Sequence, residues 1–155
     1  MRMEGSMEVA ARPQETIQKL RDPHWLGRCL PNLFSLKVTG EGEFRATFYI
    51  DLGEIAKVTG YLSRVRADML FKYEDRGEDV VRVSGTGRVV GAKIGLTIDV
   101  KVKPSANGTL IDWAADADLG IIQRILGEET TRKVANRQVE LLTTRLKEAL
   151  NTSIN

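Results

Sequence analysis

From Leu33 to Leu119 apolar and polar residues alternate almost one for one, and from Gly120 to Leu150 the period lengthens to 3.6. That switch leaves few folds open. A period of 2 describes a strand with one buried face, and a period of 3.6 describes a helix with one apolar stripe. Phe44, Ala46, Phe48, Ile50 and Leu52 alternate with Glu43, Arg45, Thr47, Tyr49 and Asp51. Val65, Ala67, Met69 and Phe71 repeat the pattern, and Val81, Val83, Gly85, Gly87 and Val89 continue it. The run from Ala92 to Val102 is the cleanest alternation in the chain. After an Asn107-Gly108 turn signal, Ile111, Trp113, Ala115 and Ala117 supply a last inward face.

The flanks add a strand and helices. Met3, Gly5, Met7 and Val9 alternate with Glu4, Ser6 and Glu8, which predicts a short first strand. Pro13 suits the first turn of a helix carrying Ile17 and Leu20. Asp22 as cap with Pro23 after it predicts a second helix, carrying His24, Trp25, Leu26 and Cys29 and ended by Pro31. In the C-terminal helix, Ile122, Leu126, Val134, Gln138, Leu141, Leu142, Arg145 and Ala149 approximate the stripe, and Gly127 predicts a kink between Gly127 and Thr130. Consecutive strands with helices at the ends predict a single α+β domain over 1–155. Its form would be a curved antiparallel sheet of about seven strands around a long C-terminal helix, with two short helices after the first strand.

A chain of 155 residues buries roughly 68–70% of its unfolded surface, so its core needs no disulfide or metal. One Cys and one His leave no zinc finger, iron–sulfur cluster or disulfide scaffold within reach, and neither cofactor nor metal is expected. The balance of 23 Lys and Arg against 21 Asp and Glu gives +2 overall, which is no footprint for nucleic acid. No apolar run approaches the ~18 residues of a membrane span, and the start MRMEGSMEVAARP does not read as a signal peptide. The cytoplasm is the expected compartment.

Signals for chemistry are weak. Gly85, Gly87, Gly91 and Gly95 run into a strand and not into a helix, so they form no phosphate loop. They read as bends in a curved sheet, and the missing side chains at Gly85 and Gly87 as a hollow in its concave face as well. His24 and Cys29 lie roughly 140° apart on a helix and cannot act as a pair. Asp112, Asp116 and Asp118, with Glu128 and Glu129 nearby, read as a solvated face before a cation site. Arg64, Arg66, Arg82 and Arg88 read as a solvated stripe on the convex face, with membrane or partner docking as the alternative. Most of the aromatic residues read as core, and Trp25, between two prolines, as a gating side chain. No catalytic residue is assigned.

The opening MEGSMEVAARPQETIQKLRDPHWLGRCLPN resembles that of the carbon monoxide dehydrogenase G-subunit (CoxG) family. Met3, Gly5 and Val9, then Pro13, Asp22-Pro23 and Cys29-Leu30-Pro31-Asn32 carry the likeness. Leu52-Gly53-Glu54-Ile55 is similar to the family's V-G-P-I turn and Ser84-Gly85-Thr86-Gly87 to its S-G-x-G strand, with Asn32 and Glu54 standing where the family has Gly and Pro. The resemblance implies the START-like (SRPBCC) helix-grip fold, an antiparallel sheet holding a long helix over a hydrophobic cavity. It also implies a role beside aerobic, molybdenum-containing carbon monoxide dehydrogenase, in membrane attachment and electron delivery to quinone. With the chain ending at Asn155 soon after the helix, a soluble carrier is expected in preference to a direct anchor, and peripheral membrane contact stays open.

The function expected is non-catalytic binding of a hydrophobic small molecule, quinone or lipid-like, between sheet and helix. Trp25, Leu26, Phe48, Met69, Val83, Leu96, Trp113, Ile122 and Leu126 are the candidate lining residues. Filling the space, as with Gly85→Leu or Ala115→Phe, is expected to abolish binding in a folded protein. The alternatives are a START-like enzyme of the cyclase or hydrolase kind and an accessory factor that docks on a protein without a ligand.

Overall fold

The computed structural model describes residues 1–53, 63–75 and 77–152; Glu54 and Ile55 of the turn noted above lie outside them. Strand β1 (Arg2–Val9) is followed by two short helices, α1 (Pro13–Leu20) and α2 (Pro23–Arg28). Six strands come next: β2 (Leu33–Gly40), β3 (Glu43–Asp51), β4 (Arg64–Asp75), β5 (Val80–Val89), β6 (Ala92–Ser105) and β7 (Gly108–Asp118). The chain then forms α3 (Ile121–Leu126) and α4 (Glu128–Thr152). The seven strands make one antiparallel sheet in the order β1-β7-β6-β5-β4-β3-β2, so β1 returns to close the far edge against β7.

Local chemistry accounts for the boundaries. The Asp22 carboxylate accepts the backbone N–H of His24 at 3.0 Å, the capping bond expected one residue before Pro23. Asn32, at the entry to β2, has φ +56°, a left-handed conformation that asparagine tolerates as glycine does. The hairpin between β6 and β7 turns one residue earlier than its Asn-Gly signal: Ser105 pairs with Gly108, leaving Ala106 and Asn107 as the loop. At Gly127, with φ +83°, the expected kink is a full break that separates α3 from α4.

Helix α4 lies along the concave face. Val134 packs with Leu52, Val65, Ala67 and Val89, Leu146 joins the cluster of Phe44, Met69 and Phe71, and Leu150 closes against Val9, Ala11 and Ile111. Ala10 donates its N–H to Asn151 Oδ1 at 2.9 Å, tying the end of the helix to the end of β1. The buried stripe thus runs through Leu142, Leu146 and Leu150, and Arg145, expected inside, is exposed. Val134 and Leu142 of the expected stripe do face the sheet, and beyond Leu142 the stripe shifts by one residue, about 100°, to Leu146 and Leu150. It buries two leucines where the other phase would bury an unpaired guanidinium. No helix among the described residues is long and apolar enough to cross a membrane.

Candidate functional site

Between sheet and helix the concave face encloses two apolar cavities. The outer one, about 390 Å³, lies at the end where β5 turns into β6 and is walled by Ile50 of β3, Leu52 just past its end, Val65, Val89, Ile94, α3, and Thr131, Val134 and Ala135 of α4. The inner one, about 110 Å³, is walled by Met7, Leu26, Phe44, Phe71, Val83, Trp113, Leu142 and Leu146 among others. Their two threonines are already engaged: Thr131 donates to Gly127 O at 2.7 Å and Thr143 to Glu140 O at 3.2 Å. The walls are therefore almost wholly apolar and offer little to a polar group.

The candidate residues divide between these spaces. Leu26, Val83 and Trp113 line the inner cavity, and Ile122 and Leu126 the outer. Phe48, Met69 and Leu96 line neither; all three pack in the cluster around Phe44 and Phe71, and Phe48 packs also against the cluster of Val65 and Val89. Trp25 lines neither as well. It is half-buried, packs against the cores at the inner end, and carries the Lys19 ammonium 5.7 Å above its ring. The glycines do not hollow the sheet: a Cβ at Gly85 would meet the Phe71 ring at 2.9 Å, and one at Gly87 would meet the Asp68 carbonyl oxygen and, at 2.6 Å, Met69 Sδ. Gly85→Leu would therefore collide with the core, whereas Ala115 does face the inner cavity.

The outer cavity opens at an apolar lip that the sequence reading missed. Val90 is 63% exposed, Ile121 54% and Ile125 72%, and Val90 and Ile125 border the cavity itself. Val90 sits in the β5–β6 turn with φ +51°, a left-handed conformation that a β-branched residue adopts only under strain. An Asn or Gly would serve that turn better. The signal was legible as a valine where the turn calls for a residue without a branched Cβ. Arg88 and Lys93 flank this turn and Arg124 stands between the two isoleucines, all three exposed.

Several of the carboxylates and guanidiniums singled out in the sequence are paired. Asp116 bonds Arg2 at 2.8 Å, Asp112 lies 3.4 Å from Lys103, and Asp118 accepts the N–H of Gly120 at 3.0 Å. On the convex stripe Arg82 grips Asp99 through two bonds of 2.6 and 2.7 Å, which raises its pKa further, Arg66 pairs with Asp68, and Arg64 lies over Tyr49. A depression of about 570 Å³ beside Glu4, Asp99, Lys101 and Asp112 belongs to this charged face and offers no enclosed apolar site. Burial pushes the Cys29 thiol up, against the opposing pull of Arg145, Arg28 and Lys19. A raised thiol is a poor nucleophile. Among the described residues no group of three or more His, Cys, Asp or Glu is placed to hold a metal ion.

Comparison with known proteins agrees with this architecture. The family model for the G-subunit of carbon monoxide dehydrogenase (CoxG) matches residues 5–151. No curated protein matches the sequence. Among solved structures, a conserved protein from Geobacillus kaustophilus is similar with a TM-score of 0.80 at 17% identity, covering 99% of this chain and 97% of its own. A START superfamily protein from Mycobacterium smegmatis gives 0.69 at 11% identity, covering 97% of each chain. A protein from Thermus thermophilus gives 0.67 at 17%, covering 100% of each. Similarity at such identities establishes the START-like fold and carries no ligand with it.

Proposed function

The chain belongs to the carbon monoxide dehydrogenase G-subunit (CoxG) family, and from that premise we propose that it binds an apolar small molecule between sheet and C-terminal helix, as an accessory protein and not as the catalyst. The outer cavity carries this reading. Its volume of about 390 Å³ falls in the range of small-molecule sites, and its walls suit a hydrocarbon body whose polar head stays at the mouth. A quinone or a lipid-like molecule has that construction. Burying roughly 300 Å² of such a ligand is favourable by about 7 kcal/mol before ordering costs.

The lip gives the cavity a direction. Val90, Ile121 and Ile125 form an apolar tip flanked by Arg88, Lys93 and Arg124, a combination suited to the surface of an anionic membrane. A protein resting there peripherally would open its cavity toward the bilayer, where quinones and lipids reside. The protein partner consistent with the family is a molybdenum-containing carbon monoxide dehydrogenase.

The test is native mass spectrometry of freshly purified protein, then extraction and identification of what is released, then incubation with quinones and phospholipids. A stoichiometric apolar adduct that Val134→Trp abolishes in a folded protein is the expected result. A bare mass unchanged by every addition would overturn the reading and favour a protein-docking role.

A further inference from the structure

The two cavities lie in series. Along β3 the inward residues pass from Ile50 at the outer cavity, through Phe48, to Phe44 at the inner one. Along α4 they pass from Val134 to Leu146, twelve residues or about 18 Å of helix. Phe48 packs against the residue clusters of both ends, and so does Ile94. What divides the two spaces is one layer of side chains.

That layer is built in an unusual way. Its strands bring small residues to the positions around Met69: Ala46 and Gly87 are its partners on either side, Ala67 precedes it on the same face, and Gly85 is the partner of Phe71. At Gly87 the close approach of the Asp68 carbonyl oxygen excludes a Cβ. Gly85 has no positive φ, and only side chains, Phe71 and Met69, stand where its Cβ would be. Met69, 2% exposed, reaches both sides: its Sδ would stand 2.6 Å from a Cβ at Gly87, and beside the Phe71 ring its Cε would stand 3.3 Å from one at Gly85. The Phe71 ring leaves no room for a larger residue at 85, so the adaptable part of this layer is the Met69 side chain. An unbranched thioether with three rotatable bonds is one that turns aside.

Resting on the proposed function, we infer that Met69 and Phe48 form a displaceable partition, and that the ligand carries one long unbranched or isoprenoid chain that threads past them from the outer cavity into the inner. The lengths agree: a lipid chain in one leaflet spans about 15 Å, half of the ~30 Å hydrocarbon core. The outer cavity takes the first part of the chain, and the inner space receives its end once the thioether moves. Met69 and Phe48 then set the chain length that the site accepts.

The experiment compares octanoate with palmitate by displacement of a fluorescent apolar probe. Wild type is expected to bind palmitate more tightly. Met69→Ala should tighten palmitate by about tenfold and leave octanoate within about twofold, and Phe48→Ala, at a less buried position, gives the same test if Met69→Ala does not fold. Met69→Leu, which conserves volume but is branched, should weaken palmitate alone. Failure of wild type to bind either acid would overturn the proposed function and this inference with it. Binding of both acids, with the variants shifting the two equally or not at all, would overturn the partition and leave the binding function standing.

Discussion

The indole of Trp113 lies across the empty face of Gly5: a Cβ at residue 5 would stand 2.7 Å from Trp113 Cζ2 and 3.0 Å from Cε2. The two residues are partners across β1 and β7, so their side chains share the concave face. The ring reaches the inner cavity through the room the glycine leaves. Gly5→Ala must shift it, and we expect a loss of about 1–3 kcal/mol. The readout is a lower urea midpoint at unchanged slope, with altered tryptophan emission. An unchanged midpoint would show that the ring yields freely.

Two buried threonines should respond in opposite ways. Thr109 Oγ1 donates to the Ala11 carbonyl at 2.6 Å with its side chain fully buried. Thr109→Val strips that donor from a buried carbonyl and is expected to cost about 1–3 kcal/mol. The equally buried Thr16 hydroxyl has no hydrogen-bond partner among the described residues. Thr16→Val should be neutral or stabilising, and equal losses in the two variants under denaturant titration would contradict this assignment.

Stability should fall on the alkaline side. The Tyr73 hydroxyl donates to the Leu20 carbonyl at 2.7 Å, and burial, aided by the Asp22 charge, raises its pKa well above the ordinary value. Burial raises Cys29 likewise. Both groups are held neutral in the fold, so their contribution is complete below the unfolded values, about 8.5 for Cys and about 10 for Tyr, and is lost as pH rises through the folded ones. Denaturant midpoints should therefore decline first above about pH 8.5 and more steeply above about pH 10. Cys29→Ala should flatten the first part and Tyr73→Phe the second, the latter at the cost of one hydrogen bond at neutral pH. A midpoint constant to pH 11 would contradict the assignment.

Val90 places strain and exposure in one residue. Val90→Asn should stabilise the protein by about 1 kcal/mol, because the left-handed conformation costs a residue such as valine roughly 1–2 kcal/mol. The same change should weaken sedimentation with anionic vesicles, since it removes one of three apolar tips. Vesicle binding that survives Val90→Asn and an added Ile125→Ser would place any membrane contact elsewhere.

Much of the fold was legible because strand alternation is a local property. The inward faces of β3 to β7 were named residue by residue, as were the Asp22 cap and Pro13 in the first turn of α1. The phase of α4 was less secure. Val134 and Leu142 were read correctly, but after them Arg145 and Ala149 fit a stripe almost as well as Leu146 and Leu150, and the close approach of the helix end to Val9, Ala11 and Ile111 selects the second pair. The exposed lip went unseen because Ile121 and Ile125 share a helix with Ile122 and Leu126, and periodicity over six residues does not separate cavity wall from rim.

By itself, then, the sequence determined the order of elements, the face each strand buries and the family, since all three are written in residue type and spacing along the chain. Tertiary structure alone decided where empty space lies. Gly85 and Gly87 suggested a hollow, but the volume they leave belongs to Met69 and Phe71, which arrive from the neighbouring strand. The cavities open instead at the two ends, between residues far apart in the chain. A void is a difference between the room a backbone encloses and the side chains that enter it, and that difference exists only once every strand and the helix are in place.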